Sequence, residues 1–176
     1  MFKRKNLLSR AIYRSLVLVA ALMLAACGKE PEPEPEPESD SISFSVTTDD
    51  GMFVSSEYKG KVIYLDFWAS WCIPCRQSFP WMNEMRAKYS EQGLQVIAVS
   101  LDQDLDLARL FAEEFAAEFT IGFDIDGALA DQFGVRGLPS SVIINRKGEL
   151  VEAHTGFNPT QAVEFEESLV KVLGNS

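Results

Sequence analysis

Cysteine and histidine are scarce in this chain: Cys27, Cys72, Cys75 and the single His154 are spread over 176 residues. A closed structural zinc site takes four such ligands, so zinc would need every one of them to converge, and no metal is expected. Glycine forms no phosphate-cradling loop, and no cofactor is expected. The N-terminal apolar run covers only residues 16–26, short of the roughly 20 residues that a membrane-spanning helix takes. There is no internal repeat. Positive charge is also short, with 16 Lys and Arg against 26 Asp and Glu, a formal charge of −10. Five of those cations (Lys3, Arg4, Lys5, Arg10, Arg14) fall in the first 15 residues, and without them 11 cations face 26 acids, a charge of −15. Phosphate backbones are held chiefly by Lys and Arg, so this balance argues against a nucleic-acid partner and for a solvated domain.

What is present begins with an address. A basic segment, the apolar run LVLVAALMLAA and the small residues Ala25 and Ala26 follow one another in the order of a secretory signal. Leu24-Ala25-Ala26-Cys27 resembles the lipobox of bacterial lipoproteins. That resemblance implies cleavage after residue 26, a lipidated Cys27 and a lipid anchor to a membrane; the alternative is a free N-terminal thiol at Cys27. Gly28 is not the aspartate that resembles an inner-membrane retention signal, so the choice of membrane stays open. Residues 30–38 read EPEPEPEPE, where proline removes backbone donors and like charges repel, so neither helix nor strand can form. Residues 27–40 are therefore a lipidated cysteine and an extended spacer, reaching roughly 28 Å over its nine alternating positions. A proline ligand for a partner is the competing reading, weakened by the lack of an apolar side chain to dock.

Residues 41–176 are enough for one domain, the usual size of which is about 100–150 residues. Apolar and turn segments alternate, predicting strands at 42–46, 61–68, 94–101, 140–145 and 149–154, with turns at 49–51 and 147–148. Helices are predicted from Ile73 to Tyr89, at 105–118, at 127–133 and at 160–173. A βαβ start with a closing hairpin and helix makes this an α/β fold, a central mixed sheet flanked by helices on both faces.

The segment DFWASWCIPCR at 66–76 carries the chemistry. Cys72 stands where a strand gives way to a helix, and the positive end of a helix favours its thiolate. Cys75, three residues on, can close a disulfide with it, and Pro74 fits the first helical turn. Cys72 then attacks a substrate disulfide as nucleophile and Cys75 resolves the mixed disulfide. A purely structural disulfide is the alternative, but so small a loop stabilises little. The Ile73-Pro74 pair between them tunes the redox potential.

FWASWCIPCRQSFP closely resembles the active-site block of the thioredoxin superfamily, in particular the exported TlpA/ResA-like thiol-disulfide oxidoreductases. The Gly-Leu-Pro at 137–139 and the strand, turn, strand and helix over 141–173 agree in order. The resemblance implies a thioredoxin fold, a cis bond between Leu138 and Pro139, and a Leu138 backbone that pairs with substrate. Asp66 stands six residues before Cys72 in an apolar strand, where burial raises its pKa. Thioredoxin itself has an acid there, so Asp66 is the candidate proton relay to Cys75; many TlpA/ResA-like members have a neutral residue. Trp71 is expected in a flat apolar docking surface, and Trp68 beside the disulfide or simply in the core.

The favoured reading is thus a reductase of disulfide-containing client proteins, monomeric, on the periplasmic face of the cell envelope. The resemblance also implies a membrane electron donor and cytochrome c maturation as one client pathway. A disulfide-forming oxidase and a non-catalytic tethered partner-binding module are the alternatives, whereas a peroxidase would need a motif that is absent. Asp102, Asp104, Asp106 and Glu113 mimic a calcium loop, but Leu107 stands where glycine is required, so they read as acids at a helix start. Asp124 to Gly127 reads as a turn and helix cap, and His154 as structural or exposed.

Overall fold

The computed structural model describes residues 41–174. The expected signal segment, Cys27 and the Glu-Pro spacer lie outside the described residues. From Ser41 the chain forms β1 (Ser45–Thr48), β2 (Gly51–Val54), a 3-10 turn (Ser55–Tyr58), β3 (Val62–Trp68), α1 (Cys75–Tyr89) and β4 (Leu94–Ser100). It continues through α2 (Leu105–Glu114), β5 (Thr120–Phe123), α3 (Ala128–Gln132), β6 (Ser140–Ile144), β7 (Leu150–Thr155) and α4 (Ala162–Gly174). The strands make one mixed sheet in the order β2-β1-β5-β4-β3-β6-β7. Within it β3, β4 and β5 run parallel and the remaining pairs are antiparallel.

β3 is central, and all seven of its residues are buried. A run of β-branched and aromatic residues without polar alternation is what a strand covered on both faces requires. Side chains alternate across a strand, so Val62, Tyr64 and Trp68 join Phe79, Met82, Phe111 and Leu169 on one face. Ile63, Leu65 and Phe67 join Phe44, Phe53, Leu129 and Val142 on the other. Helices α1, α2 and α4 supply the first layer and α3 the second, which gives the expected mixed sheet with helices on both faces.

Two boundaries depart most from expectation. The strand expected at 42–46 sits at Ser45–Thr48 and turns at once into β2. Helix α2 stops at Glu114 rather than 118. Asn83 of α1 ends it, donating to the carbonyls of Phe115 (3.3 Å) and Ala116 (3.0 Å) and accepting from the Glu118 amide at 2.9 Å. The segment so released forms β5, which pairs with both β4 and β1.

Gly122 is what lets β5 fit. A Cβ there would stand 2.9 Å from Val46 Cγ1, 3.1 Å from Val46 Cγ2 and 3.2 Å from Val99 Cγ2. Overpacking a closed core costs about 1–3 kcal/mol. Gly122→Ala is expected to lower the chemical-denaturation midpoint by a loss of that size; an unchanged midpoint would mean that the two valines give way freely.

Candidate active site

Cys72 and Cys75 are joined by a disulfide, with their Cα atoms 5.4 Å apart. β3 ends at Trp68, and Ala69-Ser70-Trp71 carry the chain to Cys72 ahead of α1, whose first residue is Cys75. The turn between them is tight: the Cys75 amide donates to the Cys72 carbonyl at 3.2 Å, and the Gln77 amide to Pro74 at 3.0 Å. Pro74 takes the N-cap of α1 at φ −63°, where its missing amide hydrogen breaks no helical bond. Cys75 is wholly buried and Cys72 nearly so. The two residues beside Cys72 are the opposite, with Trp71 69% and Ile73 76% exposed, an apolar rim around a recessed sulfur.

Trp68 belongs to the interior. It is fully buried, 4.7 Å from the Phe79 ring centroid and 4.8 Å from that of Phe111, within the cluster that also holds both cysteines. Arg76, next after Cys75, pairs with Glu114 and lies over the Phe115 ring at 4.8 Å, fastening the start of α1 to the end of α2.

The loop ahead of Cys72 is held from below by Asp102. This buried carboxylate accepts from the Ser70 amide (2.8 Å), the Ser70 hydroxyl (2.7 Å) and the Ser100 hydroxyl (2.8 Å). Asp104, by contrast, caps α2 through the Asp106 amide at 3.0 Å. The acids read as a helix start thus divide: Asp104 and Asp106 serve α2, while Asp102 serves the cysteine loop. Asp124 caps as expected, accepting from Leu129 (3.1 Å) and Ala130 (2.8 Å).

Pro139 follows a cis bond from Leu138, as the resemblance implies. Pro139 is buried and Leu138 half-buried, packed against both layers. The Pro139 carbonyl accepts from the Gly156 amide at 2.7 Å, which ties this corner to the end of β7.

Asp66 points to the face that holds Cys72 and Cys75, because it has the parity of Tyr64 and Trp68. Its Oδ2 is buried without a hydrogen-bond partner among the described residues. Burial holds its carboxyl well above the usual range. The same burial, helped by the charge of Asp66, pushes the Tyr64 hydroxyl up. A raised carboxyl pKa means that the folded chain binds more protons than the unfolded one, so stability falls as pH rises from the unfolded pKa through the folded one. Each unit of displacement costs about 1.4 kcal/mol once the group is ionised. Asp66→Asn should therefore raise the denaturation midpoint, with a gain that is small in acid and grows toward alkaline pH; a gain that is constant with pH would contradict the burial argument.

Comparison with known proteins accords with this geometry. The Redoxin family model matches residues 34–173. A protein named thiol-disulfide oxidoreductase ResA from Halalkalibacterium halodurans is 35% identical over 115 residues, 65% of each chain, so this chain spans just under two thirds of that relative. The protein of the same name from Bacillus thuringiensis subsp. konkukian is 32% identical over 130 residues, covering 73% of this chain and 74% of its own. Among solved structures, one assigned to a thiol:disulfide interchange protein DsbE from Chlorobium tepidum superposes with a TM-score of 0.74 at 42% identity, over 80% of this chain and 100% of that one. The sheet, the Cys72–Cys75 pair and these likenesses converge: the chain belongs to the Redoxin family, as a thioredoxin-fold thiol-disulfide oxidoreductase of the ResA and DsbE type.

Proposed function

We propose that this oxidoreductase is exported, anchored through Cys27 and used to reduce disulfides in client proteins. The observation that carries the reading is the asymmetry of the pair: Cys75, the first residue of α1, is wholly buried, whereas Cys72 sits at the edge of the exposed Trp71 and Ile73 rim. A client can reach only one sulfur. In the reduced enzyme the Cys72 thiolate attacks a client disulfide, forming a mixed disulfide and expelling one client thiolate. Asp66, which holds a proton in its buried site, gives it up and then takes the proton of Cys75, which attacks the Cys72 sulfur; the second client thiolate leaves, and both client sulfurs take protons from water. Two electrons have passed from the Cys72/Cys75 dithiol to the client. A membrane electron donor restores the dithiol. Client main chain pairs with the Leu138 backbone beside Pro139, and Ile73 and Pro74 set the potential. Among the described residues no helix is long and apolar enough to cross a membrane. Cytochrome c maturation is the client pathway that the family likeness favours.

The direction of electron flow is tested by equilibrating the pair against dithiothreitol or glutathione buffers. A potential near that of thioredoxin, about −270 mV, is expected; one near −120 mV would reassign the protein as an oxidase. Cys75→Ser should accumulate mixed disulfides at Cys72 that a non-reducing gel separates, and Cys72→Ser should accumulate none.

Anchoring has its own test. Cys27→Ser should move the protein from the membrane fraction to the soluble envelope fraction or leave the signal uncleaved, and unchanged mass and fractionation would remove the anchor from the proposal.

A further inference from the structure

Asp66 has to shed its own proton before it can take that of Cys75, yet it is walled in. Its neighbours along the row that crosses the sheet decide where that proton can go. Toward β4 and β5 the register gives Ala98 and then Ile121, neither of which can carry a proton. Toward β6 and β7 it gives Ser141 and then His154. Directly paired side chains share a face, with Cβ atoms about 4.5–5.5 Å apart, so Asp66, Ser141 and His154 form one polar line from the centre of the sheet to its edge strand. The two ends of that line, Asp66 Oδ2 and His154 Nε2, are both buried without a hydrogen-bond partner among the described residues. Orphaned polar atoms of this kind call for an explanation.

We infer that Ser141 and His154 are the route by which the proton held at Asp66 reaches solvent, and that they are positioning residues acting through Asp66. The inference rests on the role of Asp66 proposed above. The surroundings of His154 suit the task. The Phe165 ring of α4 packs against the imidazole, tilted by 33° at a centroid distance of 4.0 Å. Glu152, two residues back on β7, places Oε1 3.4 Å from Nε2 and accepts from the Ser168 hydroxyl of α4 at 2.7 Å. From β6 the imidazole faces Ser141, beyond which stand Asp66 and Tyr64, whose hydroxyl lies within hydrogen-bonding reach of Ser141. No cation is among these groups. Burial lowers the imidazole pKa against the opposing charge of Glu152, so near neutral pH the ring is uncharged and one of its nitrogens can accept a proton. With 14% of its side chain exposed on the edge strand, it also meets water.

The transfer balances. In the resting structure Ser141 is bonded to neither Asp66 Oδ2 nor His154 Nε2; when its hydroxyl turns between them, protonated Asp66 gives its proton to the Ser141 oxygen while the Ser141 hydroxyl proton passes to the unprotonated ring nitrogen of His154. The imidazolium then releases one proton to water, leaving Ser141 and His154 as they began. No electrons move along the line.

The test uses the reduced protein mixed with dithionitrobenzoate in a stopped-flow instrument. A first release of thionitrobenzoate reports attack by Cys72 and a second reports resolution by Cys75. His154→Gln and Ser141→Ala are each expected to slow the second release about tenfold relative to the first and to shift its pH profile, less than the roughly 10²–10⁴-fold of direct acid–base assistance because both act through Asp66. Added imidazole should restore part of the rate in His154→Gln, and Ser141→Thr should keep it. If Asp66→Asn alters the second release but Ser141→Ala and His154→Gln do not, the route is wrong and Asp66 keeps its role. If Asp66→Asn leaves the second release and its pH profile intact, the role of Asp66 fails and the route with it. An equal slowing of both releases with an unmoved pH profile would show a merely structural effect and overturn the route. Should Ser141→Ala not fold, His154→Gln with imidazole decides alone.

Discussion

Every residue of β3 is sealed from solvent, so Asp66 has no water to stabilise its charge and keeps its proton far above the pH at which a surface aspartate loses it. The same sealed layer holds Cys75. A thiol and a carboxyl that each resist ionisation in apolar surroundings can exchange one proton between them at lower cost than either can lose it to the interior. Burial, which opposes the charge of each group alone, thereby links them as a pair. Cys72 lies in the same cluster but borders the exposed Trp71 and Ile73 rim, and the proposed division of labour between nucleophile and resolving thiol rests on that edge.

Depth is useful only if the turn is held still, and three separate devices do so. Asp102 binds Ser70 through both backbone and hydroxyl, which fixes the chain one step before Trp71. The aromatic group of Trp68, Phe79 and Phe111 packs under the turn. Arg76 and Glu114 join α1 to α2 at the surface, a contact that in water contributes about 1 kcal/mol or less. The buried hydrogen bonds to a carboxylate are the stronger class, about 1.5–3 kcal/mol each by comparable cases. Asp102 is thus the principal restraint on the cysteine loop.

What could be read from the sequence was local. β3, β4, β6, β7, α1 and α4 each carry enough apolar periodicity to announce themselves, and the strand-to-helix step at Cys72 is written in consecutive residues. β2 and β5 are four residues long, and each includes a glycine, so neither shows a period; β5 exists because Asn83, far away in sequence, ends α2 early. The role of Asp102 depends on Ser70, 32 positions distant. His154 read as an isolated residue because its neighbours in space, Ser141 and Asp66, lie on other strands, and only the register joins them. Polar residues that act in pairs are legible in sequence when the partners are adjacent, as Cys72 and Cys75 are, and illegible when a sheet brings them together.

β6 has two duties that meet at one end. It begins directly after Leu138 and Pro139, where a client strand would lie in the proposed reaction, and its second residue is Ser141, paired with Asp66. In the proposed reaction a client seated on Leu138 and on the Trp71 and Ile73 rim would cover the mouth of the site at the step in which Cys75 gives up its proton. The direct way out past Cys72 is then closed by the substrate itself, and the apolar pair Ala98 and Ile121 closes the way toward β5. What stays open is the lateral line through Ser141 to the edge strand, under the client rather than through it. An exit of that kind keeps working while the mixed disulfide is in place, which is the only interval in which the reaction needs it.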